Sequence, residues 1–249
     1  MRLDWLKSYN LLVFEDVDST NSEALRMASS GVSGNFVIIS NHQSGGRGSK
    51  GRAWKSIAGN LHVSLLLESI SETKNHPQLS FLTANAVYEA IKELAKEKKK
   101  KLNIKLKWPN DILINDRKVG GILLESISRE KKNYVIIGIG INIIEAPAKV
   151  AFPATSLYDE RLVLDSSDEL LNYVISWFDK LYKQWIMDNN FYRVRKDWMK
   201  RAYNLNKTIT VDDGNRKLCG IFKEINLDGA LCLETNDGEI HNLAAGDVS

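Results

Sequence analysis

Apolar and polar positions alternate most regularly between Ile104 and Glu125, IKLKWPNDILINDRKVGGILLE. Ile104, Leu106 and Trp108 take every second place with Lys105 and Lys107 between them, the period of a strand with one buried face. Pro109-Asn110-Asp111 is turn chemistry, Ile112 to Ile114 a second apolar run, and Asn115-Asp116-Arg117-Lys118 a second polar turn. Val119 to Leu124 makes a third strand containing Gly120-Gly121, and a paired glycine inside a strand marks a close approach to the backbone. The segment predicts an antiparallel meander.

Elsewhere the pattern predicts strands at Leu11 to Phe14, Phe36 to Ser40, Asn60 to Glu68 and Tyr134 to Asn142, the last with glycines spaced for close backbone approach. Thr20-Asn21-Ser22-Glu23 fits a capping box, so a helix is expected from there to about Ser29. Leu79, Leu82, Ala86, Ile91, Leu94 and Ala95 recur at helical spacing over about five turns. That helix runs out into Lys98 to Lys101, cations that suit a helix C-terminus. Pro147 and Pro153 mark an irregular crossing. A second long helix carries the stripe Leu170, Leu171, Val174, Ile175, Phe178, Leu181, Tyr182 and Trp185, and a shorter one runs from about Phe191 to Tyr203. From Leu205 short strands alternate with the turns Asp213-Gly214, Asp228-Gly229 and Asp237-Gly238, the texture of a small β-barrel. The expected fold class is α+β: a mixed or antiparallel sheet with packed helices over residues 1–204, and a barrel over 205–249.

Composition narrows the function more than the fold. The 249 residues suffice for one large domain and a small one. A net charge of +3 is too small to imply a nucleic-acid binder. No apolar run approaches the roughly 18 residues of a membrane span. The N-terminus lacks a signal peptide's apolar core, so a cytoplasmic protein is expected. Cys219 and Cys232 read as buried strand cysteines rather than a disulfide framework. His42, His62, His76 and His241 are scattered without ligand-like spacing, which argues against a zinc site or a histidine-based nucleophile triad.

Three stretches carry candidate chemistry. Lys107 is either a solvated lysine on an edge strand or, placed before Trp108-Pro109-Asn110-Asp111, a cation that neutralises an anionic substrate. Asp111 could then pair with it or help to hold a metal ion. Ser19-Thr20-Asn21 reads as helix capping, with spare N–H groups at the helix start. Gln43 to Trp54 (QSGGRGSKGRAW) holds four glycines and three cations, in a loop that can wrap phosphate with backbone N–H groups and offer arginine forks to it. A disordered loop or a basic patch is the alternative. The loop is neither a Walker loop nor a dinucleotide fingerprint.

Lys107-Trp108-Pro109-Asn110-Asp111, followed by Gly120-Gly121-Ile122-Leu123 and Glu125, resembles the core signature of biotin protein ligases. The glycine loop resembles that family's Gly-Arg-Gly loop at Gln43, Gly46, Arg47, Gly48, Arg52 and Trp54, and departs from it at Ser49, where arginine is common. Gly138-Ile139-Gly140-Ile141-Asn142 matches a third family segment, and the barrel resembles the SH3-like C-terminal domain of these ligases, whose catalytic fold is class II synthetase-like.

The resemblance implies activation of biotin by ATP with Mg2+ and transfer to a lysine of a biotin carboxyl carrier protein or domain. It implies that Lys107 and Arg47 hold the carboxylate and α-phosphate as the catalytic pair. Arg52, Trp54, Asn110 and Asn142 would serve the nucleotide, and Asp111 the magnesium. Ser19, Thr20, Asn21, Gln43, Gly46, Gly48, Ser49, Gly120 and Gly121 would line the biotin pocket. The four-lysine run could attract an acidic carrier. A lipoate ligase would share the chemistry, but that family's Arg-Arg-x-x-Gly-Gly-Gly segment is absent. A DNA-binding biotin repressor would need a winged helix ahead of Ser19, where eighteen residues stand, so specific DNA binding is not expected. A homodimer stays open.

Overall fold

The computed structural model describes residues 4–69, 75–130, 132–148, 150, 152–188 and 191–249. Seven strands form the main sheet: β1 (Asn10–Val17), β2 (Phe36–Gln43), β3 (Leu61–Ser69), β4 (Ile104–Lys107), β5 (Asp111–Ile114), β6 (Arg117–Arg129) and β7 (Lys132–Ile141). Their order is β1-β2-β3-β7-β6-β5-β4. All neighbours are antiparallel except β1 and β2. A parallel pair needs a crossover, and helix α1 (Thr20–Ser30) supplies it. The cap of α1 is Ser19, whose hydroxyl accepts the Ser22 N–H. The capping box expected one residue later does not form: the Thr20 N–H goes to Gln43 Oε1, and Glu23 pairs with Arg26.

The sheet has two apolar faces. Val135, Ile137, Ile139 and Ile141 of β7 face the main core with α2 (Gln78–Glu97), α3 (Ser167–Asp188) and α4 (Phe191–Met199). Phe81 of α2 meets Phe191 and Trp198 of α4 edge to face. Each aromatic buried in this way contributes about 1.5–3 kcal/mol. The alternate β7 residues Tyr134 and Ile136 pack under α1 with Ala24, Ala28, Ile38 and Leu66. Further along that face β7 carries only Gly138 and Gly140, so no β7 side chain rises from the sheet beyond the N-terminus of α1. That gap is the site.

Helix α4 ends at Met199, short of the expected Tyr203. Leu106 of the edge strand β4 draws the chain out of the helix by pairing with the Arg201 carbonyl and the Tyr203 N–H. The C-terminal unit is a five-stranded antiparallel sheet of β8 (Thr208–Asp212), β9 (Lys217–Ile225), β10 (Leu231–Glu234), β11 (Ile240–Leu243) and β12 (Asp247–Val248), ordered β11-β10-β9-β8-β12. Gly214, Gly229 and Gly238 take φ of 94°, 84° and 84°, as the three Asp-Gly turns require. Strand β12 was not expected, being too short to show alternation. Cys232 is buried, but Cys219 falls on the outward-facing positions of β9 and is exposed, contrary to expectation. Trp108 ties the two sheets together by donating its indole N–H to the Gly229 carbonyl at 3.3 Å. Among the described residues no helix is long and apolar enough to cross a membrane.

Candidate active site

A cavity of about 630 Å³ fills the bare part of the sheet. Strand register builds its floor. His62 of β3 is opposite Gly140 of β7, Gly140 opposite Gly121 of β6, Gly121 opposite Asp111 of β5, and Asp111 opposite Lys107 of β4. Residues directly opposite share a face, so one rung runs from an imidazole at one end to an ammonium at the other. Four strand spacings separate them, about 19 Å. The next rung inward is Ser64, Gly138 and Leu123.

At the cation end Lys107 is buried, 8% exposed, with Nζ 4.0 Å from the centre of the Phe152 ring. The solvated-strand reading therefore fails. Burial holds its pKa below the usual lysine range; Asp111 opposes that shift and Lys118 adds to it. Lys118 Nζ pairs with Asp111 Oδ1 at 2.6 Å and lies 5.9 Å from the centre of the Trp54 ring. Counting by alternation from Gly121 would turn Lys118 to the helical face. A bulge shifts the register between Ile112 opposite Gly120 and Leu113 opposite Lys118, leaving Val119 as the extra residue and bringing Lys118 into the cavity.

The other end is lined mainly by hydroxyl and amide groups, with one ion pair at its edge. Ser64 Oγ bridges Thr20 Oγ1 at 2.7 Å and Asn21 Oδ1 at 2.5 Å. The Thr20 N–H donates to Gln43 Oε1 at 2.9 Å, and Gln43 Nε2 donates to Ser56 Oγ at 3.0 Å. Asn21 Nδ2 donates to Glu125 Oε2 at 2.8 Å. Glu125 also takes both terminal nitrogens of Arg47, at 3.0 and 2.7 Å. The Arg47 fork is thus engaged by Glu125, while Arg47 and Lys107 line the same cavity.

The glycine loop folds back on itself. The Trp54 N–H donates to the Gly46 carbonyl, and a methyl at Gly46 would fall 2.5 Å from the Trp54 carbonyl oxygen. Gly46 therefore serves the loop's own closure and does not line the cavity. Ser49 Oγ accepts from Arg52 Nη2 at 2.9 Å. Lys50 and Arg52 both reach Asp247 of β12, at 3.1 and 3.0 Å. Burial works against the Asp247 charge, but the two cations outweigh it and hold its pKa below the usual range.

Two of the close-approach glycines receive the chain's own side chains. Methyls at Gly138 and Gly140 would fall 2.3 Å from Asn21 Oδ1 and 2.5 Å from the Trp54 indole. Gly121 lines the cavity, whereas Gly120 faces the other way, with Ile141 Cδ1 2.4 Å from where its Cβ would stand. Asn110 Nδ2 donates to the Ile122 carbonyl at 2.6 Å, fixing the β4–β5 turn against β6. Asn142 donates through Nδ2 to the Thr155 carbonyl, while its buried Oδ1 has no partner among the described residues. Among the described residues no group of three or more His, Cys, Asp or Glu side chains could hold a metal ion, and the Asp111 carboxylate is engaged by Lys118.

Residues 13–142 match the Biotin/lipoate A/B protein ligase family, and residues 205–249 match the Biotin protein ligase C terminal domain. The chain belongs to the biotin/lipoate A/B protein ligase family. It is 37% identical over 222 residues to a biotin–[acetyl-CoA-carboxylase] ligase of Paracoccus denitrificans, covering 87% of this chain and 90% of that one. It is 32% identical to the bifunctional ligase/repressor BirA of Bacillus subtilis, covering 95% of this chain and 73% of that protein. A biotin protein ligase from Aquifex aeolicus, solved in complex with biotin and ATP, superposes with a TM-score of 0.81 at 28% identity over 96% of this chain and 97% of that one.

Measured against this ligase architecture, the expected residues gather with few exceptions. Ser19, Thr20, Asn21 and Gln43 line the hydroxyl and amide end, and Lys107, Asn110, Asp111 and Asn142 the other. Arg47, Gly48, Ser49, Arg52 and Trp54 form the roof, and Gly46 and Gly120 fall outside the cavity. Sequence reasoning missed Lys118, His62, Ser64, Phe152 and Asp247, and it left Glu125 without a role.

Proposed function

We propose that this chain is a biotin–protein ligase whose cavity activates biotin with ATP and passes the acyl group to a carrier lysine. The observation that carries the assignment of ends is the floor itself: two ammonium groups about one carboxylate at one end, and an amide–hydroxyl chain at the other. Biotin's carboxylate attacks the α-phosphate of ATP, a P–O bond forms, and pyrophosphate leaves. The carrier amine then attacks the acyl carbon and AMP departs. Both reactants of the first step are anions, so Lys107 and Lys118 serve by charge neutralisation and positioning. Magnesium enters with the triphosphate as part of the substrate, since the described residues provide Asp111 and no all-protein cage.

The hydroxyl and amide end suits a ureido ring, which carries N–H donors and a carbonyl, better than lipoate's dithiolane, which carries neither. The Paracoccus and Aquifex relatives are named for biotin, which favours the same choice. Residues 1–204 form the catalytic domain and 205–249 an accessory domain that reaches the loop through Asp247. The carrier is a biotin carboxyl carrier domain, and the protein works in the cytoplasm. Biotin-dependent exchange of pyrophosphate into ATP, measured beside lipoate, tests the reading. Exchange with lipoate in preference to biotin would overturn it.

A further inference from the structure

His62 sits in the cavity floor and has no part in the chemistry above. It is 2% exposed, and neither ring nitrogen has a hydrogen-bond partner among the described residues. The Ser40 carbonyl of β2 faces the ring at a geometry that closes no hydrogen bond. Trp54 Nε1 and Asn142 Oδ1, in the same cavity, are likewise buried without partners. The Trp54 indole covers Gly140, the residue directly opposite His62. Unpartnered buried polar atoms are destabilising and uncommon, and several in one cavity point to a ligand that completes them.

Position decides which part of the ligand His62 meets. It lies about 19 Å from Lys107 along the rung, beyond reach of a phosphate held there. It lies two residues, about 7 Å, along β3 from Ser64, whose hydroxyl joins Thr20 and Asn21. We propose that His62 is a specificity residue for the organic acid: its neutral imidazole hydrogen-bonds the heterocyclic end of the bound acid, favouring a ring with N–H and carbonyl groups over one with neither. The inference rests on the biotin-ligase reading and deepens it. Burial keeps the ring uncharged, with a pKa pushed down to about 4, the Ser40 carbonyl opposing and His42 adding. A neutral imidazole offers one donor and one acceptor, the complement of a ureido edge, whereas an imidazolium could only donate. A ring without polar groups would leave those nitrogens unpaired, which is how a hydrogen-bonding site rejects an apolar analogue.

His62→Phe keeps a flat ring and removes both nitrogens. Biotin affinity, measured by titration calorimetry without ATP, is expected to weaken about 10- to 100-fold. KM for ATP should stay unchanged, and the preference for biotin over lipoate in pyrophosphate exchange should fall. The melting temperature of the empty variant should hold or rise, and His62→Gln should recover affinity. His62→Leu is read on the same scale if His62→Phe does not fold. Unchanged biotin affinity in a folded variant, or an effect confined to ATP, overturns the proposal while leaving the ligase reading intact. A parent protein with no biotin-dependent exchange removes both.

Discussion

Lys118 Nζ lies 2.6 Å from Asp111 Oδ1, and Asp111 stands directly opposite Lys107 in the β4–β5 ladder. One carboxylate therefore sits between two ammonium groups, which lets like charges share a partly dry rung. Lys107→Ala or Lys118→Ala should each slow adenylate formation about 100- to 1,000-fold, the roughly 3–4 kcal/mol of a single electrostatic donor. Single-turnover adenylation measures it, and a loss of only a few-fold would return either lysine to a structural role.

Asp111→Asn removes the larger of the two carboxylate influences, the other being Asp247, that raise the Lys107 pKa against burial and against Lys118. Lys107 then loses its proton at lower pH, so the basic limb of the pH–rate profile should move to lower pH. A limb that stays in place would show that Lys107 does not carry it.

The glycine loop is tethered at one point to β6, by Arg47 to Glu125, and at two to β12, by Lys50 and Arg52 to Asp247. Such half-exposed pairs contribute about 0.2–1 kcal/mol each. Glu125→Gln combined with Asp247→Asn should speed tryptic cleavage after Lys50 and Arg52 several-fold in the empty protein, with biotin and ATP restoring protection. Identical cleavage in parent and variant would show that the tethers do not hold the loop.

Ser49 stands where the resembling ligases commonly carry arginine, and its hydroxyl is taken by Arg52. Lys50 beside it is paired with Asp247 at 3.1 Å, and a flexible point charge does not reproduce an arginine fork. A lost hydrogen bond to a charged group costs about 1.5–3 kcal/mol, so the adenylate should escape about 10- to 100-fold faster than with arginine present. Ser49→Arg should slow its release and reduce stray labelling of a bystander protein. Equal release rates would make the position neutral.

His62 gives the fold an acid-sensitive term. The unfolded chain takes the proton near pH 6.5, and the folded one refuses it until about pH 4. The contribution is whole above pH 6.5, drains away as the pH falls toward 4, and is flat below. It amounts to about 3 kcal/mol. Urea unfolding across that window should show a steeper loss for the parent than for His62→Phe, and coincident slopes would mean that the folded protein protonates the ring freely.

Strand and helix placement was legible because β3, β7, α2 and α3 carry long, regular apolar periods. The cavity's outline was legible through its glycines and through Lys107. Lys118 was not, because the tetrad from Asn115 reads as one polar turn. The turn is Asn115-Asp116 alone, with φ of 49° and 61°, a two-residue hairpin after which Arg117 already begins β6. Recognising Asn-Asp as such a hairpin would have placed Lys118 in a strand, but only the bulge at Val119 turns it inward. His62 interrupts no pattern, so nothing local separates it from any polar residue in a strand. Asp247 lies nearly two hundred residues from the loop that it holds, a relationship that exists only in three dimensions.

The floor of the cavity also acts as a graduated scale. Its reading groups stand on different strands of one sheet, so their separations come in steps of about 4.8 Å and do not vary continuously. An acid whose tail is one methylene too long or too short cannot be met by moving a cation from one strand to the next, because that step overshoots the difference several-fold. Selection by length would therefore be inherited from backbone pairing, and remodelling the pocket for a different acid would have to proceed through the ring wall or the roof loop, leaving the rung untouched.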